Sequence, residues 1–321
     1  MKRLLAFGEV LIDLLEDPHT PGRYVRQAGG APANVAVGFA KLGGDAAFIG
    51  MRSTDRFGEF LATELAAAGA NIRHLQTTAA ANTALAVVSL DAKGERSFSF
   101  YRPPSADLLF DADALAGDAF AGAPYFHFCS NTLTHANIRR ATDALVTRAA
   151  DSGSLISFDV NLRPALWPAV ADARATIAPW LARAHVLKLA REEWAFLAAG
   201  NDAALLRHCW QGVTELVLIT DGAAPVQAVT RAGEFTVAVR PFDVVDSTAA
   251  GDAFVAGLLS RLAEAEVEAT TLRDRVRNAG WLEHAIRFAG CCGGLACARY
   301  GAFGALPMLE DAQAAMKDAA H

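Results

Sequence analysis

The sequence predicts an α/β fold of three layers, α/β/α, on a mostly parallel central sheet, with a small β-sheet standing off it as a lid. Three observations carry this. Short apolar runs alternate with helix-like segments along most of the 321 residues, which requires crossover connections between parallel strands. One region, 83–102, breaks that alternation with a hairpin pattern. Hydrophobic residues make up 53% of the chain and charged ones 20%, enough apolar side chain to cover both faces of a buried sheet. No repeat, low-complexity tract or linker-like stretch divides the chain, so residues 1–321 are expected to form a single domain.

The elements follow in order. Leu4–Phe7 is a short apolar strand before Gly8. Residues 32–42 read as a helix with Pro32 in its first turn, stopped by Gly43-Gly44. A strand at 46–49 precedes a helix at 57–68 that Gly69 ends. Tyr125–Cys129, 155–158, 186–189 and Leu216–Thr220 are further apolar strands, separated by helical stretches near 136–150, 172–183 and 191–199. The lid comes from about 10–28 and 83–103. Its arms 83–90 and 96–102 flank Asp91-Ala92-Lys93-Gly94, a hairpin signature. Phe98 and Phe100 alternate with Ser97 and Ser99, so one face is apolar. Such a sheet covers a site or forms a dimer surface. A second hairpin joins Val226–Thr230 to 235–239 around Ala232-Gly233.

Bulk properties exclude several classes. A net charge of −6 and a pI near 5.8 argue against nonspecific nucleic-acid binding. Five cysteines, an odd number with no Cys-x-x-Cys pair, indicate neither a disulfide framework nor a zinc site. The apolar start is broken early by Gly8, Glu9 and Asp13, unlike a signal peptide, and no run is long enough to span a bilayer. A cytoplasmic protein with no membrane partner is expected.

The most informative stretch is Asp246-Ser247-Thr248-Ala249-Ala250-Gly251-Asp252-Ala253-Phe254. Small residues run into a helix whose apolar face carries Phe254, Leu258 and Leu262. Bare N–H groups at a helix start and the helix dipole favour an anion such as phosphate. Asp252 would then sit beside that anion, where a carboxylate can accept a proton from an attacking hydroxyl. Taken alone, the run also fits an ordinary strand-to-helix turn with Asp in its first turn. There is no Gly-x-x-x-x-Gly-Lys-Ser/Thr loop and no Gly-x-Gly-x-x-Gly after the first strand, which disfavours a P-loop and a dinucleotide site. A second motif is Gly29-Gly30-Ala31-Pro32-Ala33-Asn34. Its glycines admit a ligand to the backbone, and Asn34 offers donor and acceptor to a polyhydroxylated ligand; a helix start with a solvated Asn is the alternative.

These two motifs, with Phe158-Asp159-Val160-Asn161-Leu162-Arg163-Pro164 between them, resemble the ribokinase-like (PfkB) family of carbohydrate kinases essentially end to end. Phe100-Tyr101-Arg102, Ala106-Asp107 and Leu162-Arg163-Pro164 look most like bacterial fructokinases. The resemblance implies a ribokinase-like fold and an ATP-dependent sugar kinase using Mg²⁺ and, as in many members, K⁺. It implies that Asp252 is the catalytic base and that Ala249, Ala250 and Gly251 form the anion hole; Ala249 stands where the family usually has glycine. Asp13, Gly30 and Asn34 match sugar-binding positions, Arg163 a family arginine at the mouth of the site, and Tyr101 and Arg102 end the lid arm over the ligand. On the nucleotide side, Thr220 and Gly222 match a segment beside the ATP phosphates, and Lys188 would neutralise phosphate charge. Glu193 matches the family's Asn-x-x-Glu element, acting on metal through water, although Ala190 replaces its Asn. Asp246, Thr248, Ala296, Arg299, Gly301 and Ala305 match the positions whose carbonyls bind potassium.

Within this resemblance a fructokinase leads. A 2-keto-3-deoxygluconate kinase is the rival of like chemistry, with Arg102 or Arg163 meeting the substrate carboxylate. A catalytically silent sugar-binding homologue is the rival from another class, and the intact Asp252 argues against it. A nucleoside kinase fits less well, since no clear stacking aromatic is evident. A homodimer through the lid is compatible with its apolar face.

Overall fold

The computed structural model describes every residue except 18, 19, 21, 91–95, 168 and 319–321. The chain opens with β1 (Leu4–Phe7), β2 (Leu11–Glu16), β3 (Tyr24–Gly29) and α1 (Ala31–Lys41). Next come β4 (Ala46–Ser53), α2 (Arg56–Ala67), β5 (Asn71–Thr78), β6 (Leu85–Leu90), β7 (Arg96–Tyr101), β8 (Tyr125–Cys129), α3 (Ala136–Asp151) and β9 (Ile156–Asp159). The second half holds α4 (Val170–Leu181), β10 (Val186–Ala190), α5 (Arg191–Ala198), α6 (Asp202–Cys209), β11 (Leu216–Thr220), β12 (Val226–Thr230) and β13 (Gly233–Val237). It ends with α7 (Ala250–Glu264), α8 (Leu272–Arg277), α9 (Ala279–Cys297) and α10 (Leu309–Asp318).

Nine strands form the main sheet in the order β13-β12-β11-β10-β9-β8-β1-β4-β5. All its pairings are parallel except β11–β12 and β12–β13, the hairpin at one edge. Alternate side chains enter opposite cores, as the strand period of two demands. Leu4 and Ala6 join a cluster with α1, α2, α7 and α9, whereas Leu5 and Phe7 join one with α3 to α6. The small sheet has the order β3-β2-β6-β7. The turn expected at Asp91-Ala92-Lys93-Gly94 and the side chain of Phe98 lie outside the described residues.

Some boundaries differ from the sequence pattern. β4 runs on to Ser53, and β13 starts at Gly233 so that the turn is Arg231-Ala232. β5 has no counterpart in the apolar pattern. It pairs only with β4 at the sheet edge, and Asn71-Ile72-Arg73-His74-Leu75-Gln76 carries too few apolar residues to form a run.

The strands' C-terminal ends point to one side, and the strand order reverses around β1, whose neighbours are β4 and β8. Open α/β sheets bind ligands at such a switch point. Two helices begin there. α1 and α7 pack so closely that a Cβ on Gly38 would lie 2.9 Å from the Cβ of Ala256. One turn nearer the N-termini stand Asn34 and Asp252, each four residues earlier on the same helical face. We expect Gly38→Val to overpack this contact, costing about 1–3 kcal/mol, and to lower turnover by parting Asn34 from Asp252. Thermal unfolding and steady-state rates check this; a destabilised variant with normal turnover would show that the contact does not set the spacing.

Candidate active site

Asn34 and Asp252 meet at the head of these helices. Asn34 Nδ2 donates to Asp252 Oδ2 at 2.7 Å, and both residues are buried. Asp252 is only 8% exposed. Loss of water pushes its carboxyl up to about 7; the Asn34 hydrogen bond opposes this, the charge of Asp159 adds to it, and Arg163 and Lys188 pull it back. Asp13 on β2 is pushed up to about 7 as well, first by burial and then by the charges of Asp252, Asp246 and Glu9, against Arg163. Gly29 leaves room for Asp13, since a Cβ there would sit 2.0 Å from Asp13 Oδ2. Gly30, at φ 113°, brings the backbone against the carbonyl of Glu9.

The turn before α7 makes the other half of the site. Ala249 adopts φ 60°, ψ 7°, the left-handed region. That conformation costs an L-residue about 1–2 kcal/mol, which accounts for glycine being the easier residue here. The N–H groups of 249–252 precede the first intrahelical bond, from Ala253 N to Ala249 O. Ala250 N–H makes only a long 3.3 Å contact with Ser247 O. A left-handed residue followed by a helix start is an anion-binding concavity.

Lys188 stands beside it: a Cβ on Gly251 would be 2.9 Å from Lys188 Nζ. Its ammonium pairs with Asp159, at 3.2 Å from Oδ1. Burial works against this charge, but Asp159, Glu193 and Asp252 hold the lysine above its ordinary range. Glu193 spends both oxygens on backbone, accepting from Ala190 N at 2.7 Å and Leu162 N at 2.6 Å. It therefore ties the loop bearing Asn161 and Arg163 to the start of α5.

A mainly apolar cavity of ≈ 270 Å³ opens from this turn, lined by Thr220, Gly222, Val239, Phe242, Gly251 and Gly294 among others. The glycines of α9 form its wall. A Cβ on Gly294 would lie 2.0 Å from the Phe242 ring, and one on Gly290 would lie 2.6 Å from Val239, so residues 239–242 rest directly on the helix. Thr220 and Gly222 thus line the same pocket as Ala250 and Gly251.

Asp246 is buried and fixes two loops. Its Oδ1 accepts Thr248 N–H at 2.8 Å and its Oδ2 accepts Gly301 N–H at 3.0 Å. Asp246, Thr248 and Gly301 are thus brought together, with Ala296 at the end of α9. The Ala296 carbonyl faces Arg299 N–H at 3.4 Å. Arg299 pairs with Asp311, and Ala305 N–H bonds to Ala302 O.

Two expected ligand residues sit elsewhere. Tyr101 is 65% exposed, and its register through Leu85 to Ile12 puts it on the opposite sheet face from Asp13. Phe100, paired with Ala86 and through it Asp13, lies on the Asp13 face instead. Arg102 does not end the lid arm over a ligand: it is 1% exposed, its Nε donates to Asp107 at 2.8 Å, and its Nη1 donates to Thr134 at 3.0 Å. Arg163 is exposed, yet its charge reaches Asp13 and Asp252. Residues not singled out in the sequence also belong here: Glu9, Asn131, Asp159 and Phe242. The signal for Glu9 was an acid just after an apolar strand, and Asp159 stood within the Phe158–Pro164 motif; Asn131 and Phe242 carried none.

Among the described residues no group of three or more His, Cys, Asp or Glu side chains could hold a metal. Among the described residues no helix is long and apolar enough to cross a membrane.

Comparison with known proteins agrees with this geometry. Residues 1–308 match the model of the pfkB family carbohydrate kinases. The chain is 39% identical over 313 residues to a fructokinase of Klebsiella pneumoniae, covering 97% of this chain and 98% of that one. It superposes on the crystal structure of a fructokinase with bound ATP from Xylella fastidiosa with a TM-score of 0.95, at 42% identity and 99% coverage of both chains. A double-mutant fructokinase of Vibrio cholerae O395, in a form with fructose, ADP and potassium ion bound, superposes with a TM-score of 0.88 at 33% identity, covering 98% of each chain.

The raised Asp252 carboxyl yields a prediction with two readouts. Asp252→Asn should lower kcat by about 10²- to 10⁴-fold, and the wild-type kcat/KM should rise along an acidic limb near pH 7 rather than near 4. A carboxyl held above its unfolded value favours folding below about 3.8 and loses that contribution as pH rises through about 7. The melting temperature of Asp252→Asn should therefore gain on wild type across that window. Unchanged turnover, or a gap that does not widen, would remove Asp252 from this role.

Proposed function

The chain belongs to the pfkB family of carbohydrate kinases and is an ATP-dependent sugar kinase, and within that family we propose that it is a fructokinase. The observation that carries the reading is the desolvated Asp252, fixed by Asn34 at 2.7 Å on the rim of a helix-start anion hole. Asp13, Gly30 and Asn34 hold the sugar from one side, with Arg163 at the mouth. Asp252 accepts the proton of a sugar hydroxyl as its oxygen attacks the γ-phosphorus, and the N–H groups of Ala249, Ala250 and Gly251 receive the charge of the transferring group. Lys188 balances phosphate charge from beneath. ATP supplies the phosphoryl group and leaves as ADP, its base and ribose lying along the cavity of Thr220, Gly222 and Phe242; Mg²⁺ arriving with the nucleotide would neutralise phosphate charge alongside Lys188. Glu193 acts on this chemistry by holding its loop. Carbonyls around Asp246, Thr248, Ala296, Arg299, Gly301 and Ala305 would hold K⁺ beside the hole.

A neutral sugar suits the site better than 2-keto-3-deoxygluconate. Arg102 is already engaged by Asp107, leaving the exposed Arg163 to face two carboxylates of its own. We further propose one domain over 1–321, a cytoplasmic location with no nucleic-acid or membrane partner, and the small sheet as a lid. Its exposed Tyr24, Val25 and Tyr101 support a homodimer packed lid to lid.

ADP release measured with ATP and Mg²⁺ over fructose, ribose, 2-keto-3-deoxygluconate and nucleosides tests the reading. Fructose should lead in kcat/KM by at least about tenfold. A lead for the acid sugar would reassign the substrate, and no release with any acceptor would identify a silent homologue.

A further inference from the structure

Behind the sugar pocket lies a buried polar network that the phosphoryl transfer does not use. Glu9 follows β1 and is 2% exposed. Its Oε1 accepts Asn131 Nδ2 at 2.8 Å and the Ala31 N–H at 3.3 Å, the latter at the start of α1. Its own backbone carbonyl packs against Gly30, where a Cβ would lie 2.4 Å away. The first helical bond of α1 then runs from Asn34 N to Gly30 O. A continuous path thus joins Glu9 to Gly30, Asn34 and Asp252.

The other end of the network reaches the small sheet. Asn131 stands in the turn after β8, and its backbone carbonyl accepts from Thr134 Oγ1 at 3.0 Å. Thr134 in turn accepts from Arg102, just beyond β7. One carboxylate therefore meets three separate chain segments: the β1–β2 junction, the head of α1, and the turn that receives Arg102. Burying an acid there is costly unless it is hydrogen-bonded. In this network the opposing charge is Arg102, itself shared with Asp107.

We infer that Glu9 is a positioning residue for sugar binding: it sets the head of α1, and so Gly30 and Asn34, against the end of the small sheet. The inference rests on the sugar-kinase reading above, and it separates this role from generic stability because the bonds are selective. Both go to Oε1, while the Cys129 thiol lies 3.9 Å from each oxygen. A glutamine can therefore keep both bonds, and an alanine can keep neither.

The test compares Glu9→Ala with Glu9→Gln and wild type. Glu9→Ala should raise the KM for fructose by about 10- to 100-fold with the KM for ATP unchanged, and Glu9→Gln should stay near wild type. Hydrogen–deuterium exchange supplies a readout that needs no turnover: amides at 31–36 should exchange faster in Glu9→Ala and not in Glu9→Gln. If Glu9→Ala lowers only the melting temperature or the active fraction, with both KM values and the exchange of 31–36 unchanged, the inference is overturned. Failure of wild type to use fructose would overturn the substrate reading instead, and the exchange result would still decide the role of Glu9. Should Glu9→Ala not fold, a Glu9→Gln variant with a raised fructose KM would overturn the bonding argument by itself.

Discussion

The site depends on keeping one carboxylate dry and still fit to ionise near neutral pH. Asp252 has left water, and burial alone would hold it protonated. The Asn34 amide, donated across from α1 at 2.7 Å, offsets part of that cost and also fixes which way the carboxylate faces. The bond exists because α1 and α7 approach closely enough for Gly38 to touch Ala256. A small-residue contact in the apolar layer thereby holds a carboxylate at a defined position.

Charge balance explains much of the surrounding architecture. Five acids, Glu9, Asp13, Asp159, Asp246 and Asp252, converge on the switch point of the sheet, and few cations answer them. Lys188 takes Asp159, and Arg102, bonded to Asp107, faces Glu9. Asp246 and Glu193 each accept two backbone N–H groups. Each of these arrangements ties a loop in place, so the same acids that charge the pocket also hold its walls.

Much of this was legible in the sequence for definite reasons. The strand–helix alternation followed from apolar runs buried on both faces, and β5 escaped because an edge strand needs no such run. The helix starts at Ala31 and Ala250 showed in their glycines, proline and small residues. Ala249 stood out as a departure, and its left-handed backbone gives the physical reason. Tyr101 falls on the opposite face of the small sheet from Asp13 because neighbouring residues along a strand point to opposite faces, and Arg102 is held by Asp107, a pairing that the strand pattern does not contain. Glu9, Asn131 and Asp159 act through partners 122 and 29 positions away, a kind of pairing that local pattern does not contain.

The central claim is that Asn34 and Asp252 work as a unit, and a double-mutant cycle on kcat with Asn34→Ala, Asp252→Asn and the pair tests it most directly. Strong coupling of about 1.5–3 kcal/mol is expected, so that removing Asn34 costs little once Asp252 is already amide. Additive losses would contradict it, since two residues that lower kcat independently are not holding one carboxylate between them.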